Sequence, residues 1–251
     1  MNDTAQLALD IQTDEYMTGP VREIPTGYSY QNVIYEPYDI IYETDASIVI
    51  CESGRITGKS THIIDYIITN MMSKNSWGSI LGRANFTDIS SSVFRLLLKR
   101  IRERGLLAYW TYKLSPMEFT CLINGNKAYF VSFNARLKQD LTQTKGLEVD
   151  MPIGAIWLDE ADQCYSGQHI DAAMDTFNRH LTNDGKYFFS YNRPQVKIHW
   201  AHKYFNDLKR SPLATSVYAT WLDIADELDD LTIAMILRVM REQPELYKMR
   251  Y

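Results

Sequence analysis

The sequence predicts an α/β fold, a mainly parallel sheet with helices on both faces and a small helical region at the C-terminal end. Three observations lead there. Short apolar runs rich in β-branched and aromatic residues, at Ser47–Cys51, Ile153–Leu158 and Lys186–Ser190, have the length of buried strands. Between them lie segments with apolar residues at helical spacing, such as Ile63, Ile64, Ile67 and Ile68. Strands that alternate with helices imply a parallel sheet covered on both faces. Third, the strands end in chemistry: Gly58-Lys59-Ser60 follows the first and Asp159-Glu160 the second. Open α/β sheets bind their ligands at that carboxyl edge.

Composition narrows the class. A chain of 251 residues suffices for one large domain or two small ones with a sizeable core. With 45% hydrophobic and 23% charged residues it is an ordinary globular sequence. The net charge of −5 means that any nucleic-acid contact must come from a local basic patch. Cys51, Cys121 and Cys164 are scattered without metal-ligand spacing, which fits a reducing compartment without disulfides. The N-terminus lacks the pattern of a signal peptide, and no apolar run approaches a membrane span, so no membrane contact is expected.

The elements follow in order. Residues 1–45 read as an extended arm, mostly loop, broken by Pro20, Pro25 and Pro37; Gln31 and Tyr35 either grip a nucleotide base or belong to an arm that only covers the sheet. Residues 46–210 form the core. After the strand at 47–51 comes a glycine-containing loop, then a helix. Residues 79–83 read as a strand and 88–104 as a helix with Val93, Leu97 and Ile101 on one face. That helix also carries Arg95, Lys99, Arg100, Arg102 and Arg104, the most basic run of the chain. Such a run is either a solvated face or a set of contacts to a DNA backbone, for which Arg95, Lys99 and Arg102 are the candidates. Residues 107–133 read as strands, with Asn124-Gly125 as a hairpin turn between Glu118–Ile123 and Lys127–Phe133. Helices are expected over part of 135–145, over 168–182 and over 197–209, and strands over 153–158, 186–190 and 217–220. Residues 211–251 form a lid or linker with two helices inside 227–250, the second opened by Pro244. Asp223, Asp226, Asp229 and Asp230 read as the solvated start of a helix.

The loop Ser53-Gly54-Arg55-Ile56-Thr57-Gly58-Lys59-Ser60 fits G-x-x-x-x-G-K-[ST], with Ser53 in place of the first glycine. Strand, loop and helix in that order make a phosphate cradle, because loop N–H groups and the helix dipole point at the anion. The candidate nucleotide-binding residues are Ser53 to Ser60 and Thr61. Lys59 reaches the β- and γ-phosphates of ATP, and Ser60 ligates magnesium (Mg2+). Asp159 and Glu160 end an apolar strand as a Walker B element does, with Asp159 a second magnesium ligand and Glu160 orienting or deprotonating the attacking water. Ser190 and Asn192 end another strand, where a polar side chain either touches the γ-phosphate or its water, or simply forms a turn.

In sequence order, SGRITGKS at 53–60, IWLDEAD at 156–162, and FFSYNRP at 188–194 followed by Ile198-His199-Trp200 resemble the ATPase domain of a tailed-bacteriophage terminase large subunit, the DNA-packaging motor. The tail from Thr220 resembles the segment that closes this domain, so the resemblance covers roughly residues 30–251. The family's loop has glycine where this chain has Ser53 and Ile56, and serine at Thr57. The resemblance implies a P-loop NTPase fold of the RecA-like (ASCE) type and Mg-ATP hydrolysis that drives double-stranded DNA into a procapsid. It implies a pentameric ring on the portal protein, work with a small terminase subunit, and a place in the cytoplasm of the infected host. It puts Arg55 near the γ-phosphate as a catalytic arginine beside Lys59 and Glu160, with a structural ion pair as the alternative. Arg83, Arg100, Arg104 and Arg136 are candidates for an arginine acting across subunits. The nuclease domain of complete large subunits is expected to be absent from this chain. Two other readings stand beside the motor: a helicase, since residues 159–162 spell DEAD, and a nucleotide-binding assembly module without turnover.

Overall fold

The computed structural model describes residues 36–134, 149–194, 196 and 198–250. Its strands are β1 (Ile48–Glu52), β2 (Gly78–Arg83), β3 (Trp110–Leu114), β4 (Met117–Cys121), β5 (Lys127–Ser132), β6 (Ile153–Asp159), β7 (Leu181–Tyr191) and β8 (Ala214–Val217). They form one sheet in the order β3-β4-β5-β2-β6-β7-β1-β8. From β5 to β8 every pairing is parallel. β3, β4 and β5 pair antiparallel at one edge. Their links, 115–116 and 122–126, are too short for the crossover that a parallel pair needs. In the second link Gly125 takes a φ of +76°. Asn124 and Asn126 turn their amides back onto the carbonyls of Met71 and Lys74 at the end of the first long helix, so this turn also caps a helix.

The helices are α1 (Asp39–Glu43), α2 (Lys59–Ser73), α3 (Phe86–Ile89), α4 (Val93–Glu103), α5 (Gly167–Asn178), α6 (Trp200–Leu208), α7 (Asp230–Glu242) and α8 (Pro244–Arg250). They cover the sheet on two sides, and the strands alternate between two cores accordingly. Ala155, Trp157 and Phe188 pack with Ile63, Ile64 and Ile67 of α2 and Leu97 and Ile101 of α4. Ile156, Leu158 and Phe189 pack with Ile170 and Phe177 of α5 and Phe205 of α6. A strand buried on both faces shows no polar alternation, which is why β6 and β7 appear as continuous apolar runs.

Four expectations shift. The helix over 88–104 is two helices, broken at Ser90-Ser91-Ser92, where the hydroxyls of Ser91 and Ser92 both donate to the Asp88 carbonyl rather than favouring a helix interior. The helix over 168–182 stops at Asn178, and β7 begins at Leu181. The last strand lies three residues earlier than 217–220. Residues 36–43 are helical rather than loop, with Tyr38 and Ile41 fully buried. Gln31, Tyr35, Arg136 and the helix expected in 135–145 lie outside the described residues. Of the C-terminal acids, Asp223 accepts from the Thr220 N–H in the first turn of a 3-10 segment over Trp221–Glu227, Asp226 lies near the end of that segment, and Asp229 accepts from the Thr232 N–H at the head of α7. No helix among the described residues is long and apolar enough to cross a membrane.

Candidate nucleotide-binding site

β7 lies between β1 and β6. The carboxyl ends of these three strands therefore meet at one place, with the loop after β1 above them. Gly58 closes that loop at φ +81°, a conformation that favours glycine, and a Cβ there would sit a tight 3.3 Å from the His62 ring. Ile56, where the resembling family has glycine, also takes a positive φ, 55°. Ser53 is buried, and its hydroxyl lies 2.9 Å from that of Thr57. The Tyr38 hydroxyl donates to the Thr57 carbonyl at 2.5 Å, and the Tyr38 ring stacks on His62 with centroids 4.3 Å apart. The side-chain bridge between Ser53 and Thr57 holds the loop where the missing glycine would have left it to the backbone. Arg55 and Ile56 stand exposed at the tip, and Thr61 is half-buried in the first turn of α2.

Lys59 donates from Nζ to the Gly54 carbonyl and to Asn192 Oδ1, both at 2.8 Å. Burial pushes its pKa down, which the nearby Asp159 opposes. The Ser60 hydroxyl donates to Asp159 Oδ1 at 3.2 Å. The Ser190 hydroxyl donates to the same oxygen at 2.8 Å, and the Trp157 indole N–H donates to Ser190 Oγ at 2.8 Å. Ser190 is thus fully buried behind Asp159, and not at the open edge where a γ-phosphate sensor was expected. Burial raises the Asp159 carboxyl, against the pull of Ser190 and Arg83. Glu160 follows in the left-handed region at φ 50°. Gln163 Nε2 donates to its Oε2 at 2.5 Å. Arg83, from the end of β2, pairs with Glu160 and lies 3.5 Å from Asp159 Oδ2. Asp162 Oδ1 is buried with no hydrogen-bond partner among the described residues.

Lys59 and Asn192 therefore form one hydrogen-bonded pair, and Ser60, Asp159 and Ser190 form a second group, which Glu160 joins through Arg83. The basic run divides. Arg100 grips Asp65 of α2 through Nε at 3.1 Å and Nη2 at 2.8 Å, and Arg104 pairs with the same carboxylate. Lys99 is exposed and lies 3.5 Å from Glu103, while Arg95 and Arg102 are half-buried. Arg83, Arg100 and Arg104, candidates for action across subunits, are thus all engaged within the chain. Sequence reasoning missed Glu52, Asp65 and Asp162. Glu52 is the last residue of a strand read for its apolar content, and Asp65 sits in an otherwise apolar helix face.

A family model for the phage terminase large subunit matches residues 45–251. The chain belongs to the phage terminase large subunit family. Membership sets the helicase alternative aside. Solved structures of large terminases share the fold. The large terminase of a thermophilic bacteriophage has a TM-score of 0.64 at 15% identity, over 84% of this chain and 50% of that one. The HK97 bacteriophage large terminase gives 0.63 at 14%, over 88% and 50%. The ATPase domain of the Thermus phage P74-26 large terminase gives 0.61 at 14%, over 90% and 93%. The chain thus spans half the length of the first two of these terminases. The first has also been solved with ADP and with ATP-gamma-S. No curated protein matches the chain. The fold is accordingly the P-loop α/β fold of terminase ATPase domains.

Proposed function

We propose that the chain hydrolyses Mg-ATP and couples the reaction to movement of double-stranded DNA into a procapsid. The observation that carries this reading is the convergence of Lys59, Ser60, Asp159, Glu160 and Asn192 at the carboxyl ends of β1, β6 and β7. The oxygens of Ser60 and Asp159 already lie together, and hard oxygen donors of this kind fit magnesium. When bound, magnesium neutralises charge on the β- and γ-phosphates.

The chain's own residues supply the rest. N–H groups of residues 54–61 cradle the phosphates. Lys59 exchanges the Gly54 carbonyl and Asn192 for phosphate oxygens. Trp157 and Ser190 hold the Asp159 carboxylate in orientation. Glu160 accepts the proton of the attacking water once it leaves Arg83 and Gln163. Arg55, exposed at the loop tip, supplies positive charge toward the γ-phosphate. Asn192, freed from Lys59, reports nucleotide state to the rest of the protein. Arg95, Lys99 and Arg102 on α4 contact the DNA backbone, and 211–251 act as lid or linker, with Ile224 packed near Gly58. A ring of copies on a portal protein, helped by a small terminase subunit in the host cytoplasm, completes the reading.

The test is ATP turnover by the purified chain at low salt, with and without duplex DNA. Turnover that requires magnesium and rises with DNA is expected. A chain that binds ATP without turnover, or turnover indifferent to DNA, returns the reading to an assembly module or a DNA-independent ATPase.

A further inference from the structure

Asn192 lies just beyond the end of β7, so the strand ladder does not hold its side chain; Lys59 does. In the hydrolytic reading Lys59 turns to the phosphates, and Asn192 loses that partner at the moment its position matters. A second tie is present one residue on. Arg193 Nε donates to Glu52 Oε1 at 2.6 Å, and Lys209, just past the end of α6, bonds the other oxygen, Oε2. Glu52 is buried at the end of β1, directly before Ser53, whose N–H bonds the Tyr191 carbonyl at 3.4 Å. The phosphate loop is thus fastened to the exit of β7 at both of its ends, by Lys59 to Asn192 and by Glu52 to Arg193. A buried carboxylate shared by two cations is costly to desolvate, and well-packed apolar side chains often do as well for stability.

We propose that Glu52 and Arg193 are a positioning pair for ATP hydrolysis, holding Asn192 against the root of the phosphate loop when Lys59 leaves it for phosphate. Lys209 gives the same carboxylate a second tether, which carries the position of this edge to the end of α6. The inference rests on the hydrolytic reading of the site.

The two oxygens of Glu52 take different cations, which makes a clean test. Removing Arg193 leaves Glu52 paired with Lys209, and the Arg193 side chain is 66% exposed, so Arg193→Ala keeps the fold. For Arg193→Ala in the full chain we expect kcat to fall about tenfold while KM for ATP stays within about threefold, the pattern of an interaction that acts in the transition state. The melting temperature should move by less than about 3 °C, because the Arg193 side chain is mostly exposed and Glu52 keeps Lys209 as its partner. Arg193→Lys, which returns a cation to Oε1, should restore most of the lost kcat. A kcat for Arg193→Ala within about twofold of the unmodified chain overturns the inference. So does a parallel loss of kcat, ATP affinity and melting temperature that lysine does not rescue, since that marks a purely structural tie. No turnover in the unmodified chain overturns the hydrolytic reading itself, and this inference with it.

Discussion

Asp159 shows how much a single acid depends on residues behind it. Its Oδ1 takes hydroxyl protons from Ser60 and Ser190, and Ser190 in turn takes the Trp157 indole proton. Ser190→Ala removes an acceptor from a buried indole and a donor from a buried carboxylate. An unsatisfied buried group costs about 1–3 kcal/mol, so a loss of that size is expected in urea denaturation. ATP turnover should fall as well. Glu52 gives a pH signature. Burial alone raises its carboxyl, but the bonds from Lys209 and Arg193 reverse this and hold it below its ordinary value of 4.5. Its ionised form therefore stabilises the fold fully above about pH 4.5, and that stabilisation is lost as pH falls through the lower folded value. Thermal denaturation between neutral and acidic pH should show a shallower acid limb for Glu52→Gln than for the unmodified chain. An identical limb would mean that Glu52 contributes nothing to the linkage. The acids and the lysine were legible as motif positions. Trp157, Ser190 and Glu52 were not readable in these roles, because their partners lie on elements distant in sequence that only the folded sheet brings together.

At the level of elements, α2 joins the site to the basic helix. It starts at Lys59, and one turn beyond Ser60 its Asp65 takes Arg100 and Arg104 of α4. Asp65→Ala takes that carboxylate from Arg104 and leaves Arg100 with Glu103. Breaking a buried pair costs about 3–5 kcal/mol, and the lower end is expected in urea denaturation because Arg100 is 23% exposed. The helix reads as uniformly basic in sequence, yet its charges have two different fates set by helical position. The inward pair, Arg100 and Arg104, serves packing, and Arg95, Lys99 and Arg102 are the proposed DNA contacts. Charge reversal at those three should weaken duplex binding and flatten its dependence on salt by about 0.9 for each phosphate no longer neutralised. An unchanged salt slope would remove α4 from the DNA surface. The break at Ser90–Ser92 was hidden by the apolar spacing on either side, since periodicity alone does not show that local hydroxyls compete for backbone carbonyls.

Over the whole molecule, the sheet order explains why the motifs work together. β7 separates β1 from β6, so residues at its end reach both sides: Asn192 the phosphate-loop lysine, and Ser190 the strand that carries the acids. Alternation of strands and helices, with continuous apolar runs in β6 and β7, made the parallel layers readable. The antiparallel edge β3-β4-β5 was readable only at the Asn124-Gly125 turn. Strand order itself was not, because long-range pairing leaves no local trace in one sequence. Family membership then places this arrangement among phage terminase large subunits, and in the proposed hydrolytic reading the pairing of Glu160 with Arg83 is the contact to be released for turnover. Steady-state ATP hydrolysis and ATP binding by Glu160→Gln, beside the unmodified chain, probe this most directly. Turnover should fall by at least about a hundredfold, the scale of a lost general base, with ATP binding retained. Undiminished turnover in Glu160→Gln would contradict the assignment of this strand edge as the hydrolytic site.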